Sequence, residues 1–107
     1  MSTLSRPVSH VPLKRALLNC VDILKPCAVV LRSIEEAKLE KHIMAIALCQ
    51  KDCKRALNAI EDNPEQLREA MPILSRSLRK CIASCRQIEL DIFKKAIVAL
   101  EDCLGEF

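Results

Sequence analysis

Seven cysteines in 107 residues are the side chains of this chain whose type and spacing suggest chemistry. Cys49 and Cys53 are four residues apart, as are Cys81 and Cys85, and Cys20 and Cys27 are seven apart. In an α-helix these intervals place the paired side chains on one stripe. A thiol on a buried stripe is either a small hydrophobe or a soft-metal ligand. His42 precedes Cys49 by seven residues and Met44 adds a soft sulfur nearby. Catalysis has no comparable signal. No histidine has an obvious acidic partner, no glycine-rich phosphate loop is present, and no nucleophile motif appears. The chain reads as a non-enzyme with no catalytic residues.

The elements that must position these thiols are helical. Gly105 is the single glycine, and no Asn-Gly or Asp-Gly hairpin turn exists, which disfavours strands joined by tight turns. Residues 1–10 read as a flexible tail and residues 11–107 as one domain. Pro12 suits the first turn of a helix. The apolar positions Leu13, Leu17, Cys20, Cys27 and Ile34 continue the pattern through Pro26, where a kink is expected. The charged stretch 35–41 is the expected first hairpin. A second helix carries Ile43, Ile46, Cys49, Cys53, Leu57 and Ile60. Asn63-Pro64 predicts a break, with Asn63 as N-cap and Pro64 in the first helical turn. A third helix runs through Leu67, Met71, Leu74, Leu78, Cys81 and Cys85, with Pro72 able to bend it, and the chain turns again near 87–91. A fourth helix carries Phe93, Leu100 and Cys103. The predicted fold is all-α, an antiparallel up-down-up-down four-helix bundle.

Composition narrows the partners. The net charge is +3, from 17 basic and 14 acidic residues interleaved along the chain, with two aromatic residues. Nucleic-acid binding would call for a basic stripe or stacking aromatics, so none is expected. No apolar run approaches bilayer-spanning length, so no membrane partner is expected. The first eleven residues are polar, contain Pro7 and lack a signal-like apolar core, which suggests a cytoplasmic protein. Reduced cytoplasmic thiols and an odd cysteine count disfavour a disulfide framework.

At heptad spacing the first stripe reads Cys20, Ile23, Cys27, Val30, Ile34 and the third reads Met71, Leu74, Leu78, Cys81, Cys85. The fourth reads Phe93, Ala96, Leu100, Cys103, Phe107, and the second contributes His42, Cys49 and Cys53. With the Asn63-Pro64 break before the third helix, this pattern resembles the cysteine-rich four-helix bundles of the copper storage protein family. The resemblance implies core thiolates that bind Cu(I). It also implies low capacity, because most of the corresponding positions here are aliphatic.

A rise of about 1.5 Å per residue sets the heights of the thiols in such a bundle. It groups Cys27, Cys49, Cys53 and Cys103 into an all-thiol site for Cu(I) or Zn(II). A second site would join Cys81, Cys85 and His42, with Met44 as a neighbour, while Cys20 lies toward the opposite end near Met71. His42 also reads as a surface residue at a helix start, and Lys51-Asp52 and Arg76 to Lys80 read as solvated outer faces. The second functional reading is a non-catalytic helical interaction module whose cysteines only pack. Either reading accommodates a homo-oligomer or a protein partner.

Overall fold

A computed structural model of the chain describes residues 10–107. The remainder of the expected tail, residues 1–9, lies outside the described residues. Four helices account for most of the rest. They are α1 (Val11–Ser33), α2 (Glu40–Asp62), α3 (Pro64–Arg86) and α4 (Asp91–Leu104). One turn of 3-10 helix, Ala37–Leu39, leads into α2. No strand occurs among the described residues.

Each boundary has a local cause. The α1 helix begins with proline in its first turn and continues through Pro26, so the apolar stripe prevails over the missing N–H of that residue. Arg32 in its last turn complements the negative helix end. The expected hairpin at 35–41 is shorter than that stretch, because Glu40 already begins α2. Asn63 closes one helix and opens the next. Its N–H donates to the Ala59 carbonyl at 2.9 Å, and its side chain accepts from the N–H groups of Glu65 and Gln66 at 3.1 and 3.4 Å. Pro64 follows at a position where its absent N–H costs nothing. A single residue thus turns the chain between two helices of 23 residues each.

The helices pack in a ring, with α1 and α3 each against both α2 and α4. Named pairs give their directions. Lys14 at the start of α1 meets Glu61 at the end of α2, at 2.6 Å. The Cys20 thiol faces the Ala99 carbonyl and the Cys27 thiol faces that of Ile92, so α1 and α4 run in opposite directions. Asp52 meets Ser77 across α2 and α3. The all-α, antiparallel bundle expected from periodicity is the fold observed.

The interior combines aliphatic and thiol side chains on every helix. Leu17, Leu24 and Leu31 of α1 and Ile46 of α2 are fully buried, as are Leu74 and Leu78 of α3 and Phe93 and Leu100 of α4. Phe107, expected to end the fourth stripe, is 44% exposed. Asn63→Ala removes the α3 cap and is expected to cost about 1 kcal/mol. Thermal unfolding should register this as a midpoint lowered by about 4–8 °C.

Candidate metal centre

All seven cysteines are free, and all are 0% exposed. They occupy the inward stripe of every helix: Cys20 and Cys27 on α1, Cys49 and Cys53 on α2, Cys81 and Cys85 on α3, and Cys103 on α4. Their neighbours form a row. Cys103 lies against Cys20, and Cys20 against Cys53. Cys53 and Cys49, Cys49 and Cys81, and Cys81 and Cys85 are each near enough to shift one another's titration. Six sulfurs therefore link all four helices through successive pairs, and Cys27 stands close enough to sense the charge of Cys81.

This arrangement regroups the residues expected from sequence. Cys20 pairs with Cys53 and Cys103 instead of standing apart near Met71. Cys27 is electrostatically nearest Cys81 and Cys85 instead of joining Cys103. Cys49 is the bridge between the two ends of the row. The Asn63 joint lies where the sequence placed it, and the first hairpin is shorter than expected, with Glu40 already in α2. The structure also corrects two flanking residues. His42 is buried at 5% exposure, and its Nδ1 has no hydrogen-bond partner among the described residues. Met44 is 67% exposed and is no neighbour of the core thiols. A further correction is Asp52, read from sequence as part of an outer face. It is buried and accepts a hydrogen bond from the Ser77 hydroxyl. The signal was present in the sequence. Asp52 lies ten residues after His42 and three after Cys49, on the inward stripe, and Ser77 directly precedes Leu78 and so flanks that of α3.

The row has a definite electrostatic pattern. At Cys53, the neighbouring Cys20 and Cys49 thiols lower the pKa against the opposing effect of burial. Cys81 is lowered in the same way by Cys49 and Cys85. The remaining thiols of the row are held protonated. Cys49 is raised by its contacts with Cys53 and Cys81 and by burial. Cys85 is raised by its contact with Cys81 and by burial, and Cys103 by its contact with Cys20 and by burial. At Cys20 the contact with Cys103 lowers the value, but the contact with Cys53 and burial together raise it. Burial, with a contribution from Cys81, pushes the Cys27 thiol up to about 11. Burial and then Lys41 lower the pKa of His42, which favours the neutral ring.

Among the described residues, no three His, Cys, Asp or Glu side chains gather where they could hold one metal ion. A tetrahedral Zn(II) site needs four such donors around one point, and the pairwise row does not match that requirement. Cu(I) is different, because this soft ion is satisfied by two thiolates. Surface clefts are lined by residues such as Lys51, Lys54 and Arg55, or Arg79 and Arg86, and every thiol is fully buried. Access to the thiols therefore requires the helices to part. No helix among the described residues is long and apolar enough to cross a membrane.

No protein-family model, curated protein or solved structure matches this chain.

The Cys27 shift gives a pH dependence. An ordinary thiol titrates near 9.0 and the folded Cys27 near 11, so the folded state retains a proton that the unfolded state has lost. This contribution is present below the lower value and declines as pH rises through the interval. Denaturant unfolding between these two pH values should show a shallower loss of stability for Cys27→Ala than for the unaltered chain.

Proposed function

We propose that this chain takes up a small number of Cu(I) ions between neighbouring core thiolates and so stores or buffers a soft metal. The observation that supports this reading is the continuous sulfur row from Cys103 through Cys20, Cys53, Cys49 and Cys81 to Cys85. The row draws one or two thiols from each of the four helices, and each is near enough to its neighbour to influence its charge. The resemblance to copper storage bundles points the same way, and the sparse stripe gives low capacity. Each ion displaces the protons of whichever of its thiols are protonated, so apparent affinity rises with pH. Soft thiolates also discriminate against Mg(II) and Ca(II). The setting proposed is cytoplasmic, where thiols stay reduced. His42 is a candidate donor at one end of the interior, through its unpartnered buried Nδ1.

The test is an anaerobic Cu(I) titration of the reduced protein against a chromophoric chelator, with ions counted by native mass spectrometry. Tight uptake of more than one ion per chain is expected. It should fall in Cys49→Ala/Cys53→Ala, which interrupts the middle of the row, and proton release should accompany binding. Failure of the unaltered protein to compete with the chelator would overturn the reading. The cysteines would then be packing residues, and the bundle an interaction module with a protein partner.

A further inference from the structure

Three polar side chains are buried among the described residues: His42, Asp52 and Ser77. Two of them satisfy each other. The Ser77 hydroxyl donates to the Asp52 carboxylate across the α2–α3 interface, 25 residues apart in sequence. We propose that this pair fixes the rotational setting of α2 against α3, and thereby holds Cys49 opposite Cys81. Only the consequence for metal uptake rests on the Cu(I) reading above.

The need for such a device follows from the joint. Asn63 fixes the two helices where they meet, but Asp52 lies eleven residues before it and Ser77 fourteen after it. At about 1.5 Å per residue these are some 16–21 Å from the joint. Between the joint and Ser77 stands Pro72, inside α3. It offers no N–H to the preceding turn, so the helix is least constrained there. The aliphatic layers do not supply the missing constraint. Apolar contacts are non-directional and tolerate a modest rotation of one helix against the other. A hydrogen bond to a buried carboxylate does not, because rotation leaves the charge without its partner.

The pair also lies where its effect on the thiols is direct. Asp52 precedes Cys53 by one residue and follows Cys49 by three. Ser77 precedes Cys81 by four, one helical turn. A rotation that broke the hydrogen bond would carry Cys49 and Cys81 off their common line. Asp52 and Ser77 are thus positioning residues for the middle contact of the sulfur row.

The test separates alignment from stability. The readout is the NOE between the β protons of Cys49 and Cys81 in the reduced, metal-free protein, with thermal midpoint and Cu(I) count measured alongside. Asp52→Asn keeps an oxygen acceptor for Ser77 and should keep the NOE. Ser77→Ala removes the donor and should lose it. The double variant Asp52→Leu/Ser77→Ala replaces both partners with apolar groups. It should recover thermal stability relative to Ser77→Ala while the NOE stays absent and, where the unaltered protein binds Cu(I), the ion count falls. Retention of the NOE in Ser77→Ala overturns the proposal whether or not the double variant folds. A protein that binds no Cu(I) but loses the NOE in Ser77→Ala would overturn the metal reading and leave this inference standing.

Discussion

The burial of seven thiols at zero exposure is the constraint to which the rest of this bundle answers. A sulfur atom is apolar enough to enter a core and small enough to let helices approach closely. It still carries a weak donor and a weak acceptor, which do best when they find each other. The row from Cys103 to Cys85 meets that demand from within, thiol to thiol, with two carbonyls of α4 facing the α1 thiols. Large aliphatic residues fill the layers between, and Phe93 is the one fully buried ring. The same interior is therefore a packed core and a line of soft donors. Neither role requires a residue that the other would forbid.

Much of this was legible in the sequence because helical periodicity is a local property. The heptad stripes, the Asn63-Pro64 turn and the absence of hairpin glycines each carry their meaning within a few residues. The four helices follow from them directly. Which thiol meets which is not local. It depends on the height of one helix against another, and an error of one turn in a hairpin exchanges neighbours along the row. The short 3-10 turn before α2 fixes the height of α2 against α1, and its length cannot be read from periodicity. Cys81 keeps Cys85 as a neighbour and adds Cys49, and Cys20 neighbours Cys53 and Cys103.

Polar residues at core positions were the less visible part. A charged or hydroxyl side chain within a basic stretch reads as surface, and Asp52 and Ser77 both sit in such stretches. Their heptad phase outweighs their polarity because each supplies what the other lacks, so burial leaves no unsatisfied group between them. His42 has no such complement at Nδ1. The contrast divides the interior. Around Asp52 the polar requirement is met by the fold itself, whereas at the α2 entrance one buried nitrogen remains open to a further contact.

The composition of the stripes also bears on how this protein could change over generations. Thiol and aliphatic residues occupy equivalent heptad positions in the same helices, with Cys20 and Cys27 interspersed among Leu17, Leu24 and Leu31. An exchange between cysteine and a small aliphatic residue disturbs the interior by only a group or two, a change that cores absorb at modest cost. Sulfur content can therefore drift one position at a time without any rearrangement of the helices. Lineages under pressure for soft-ion capacity could accumulate thiols along this scaffold, and lineages released from it could shed them, while the architecture persisted through either history.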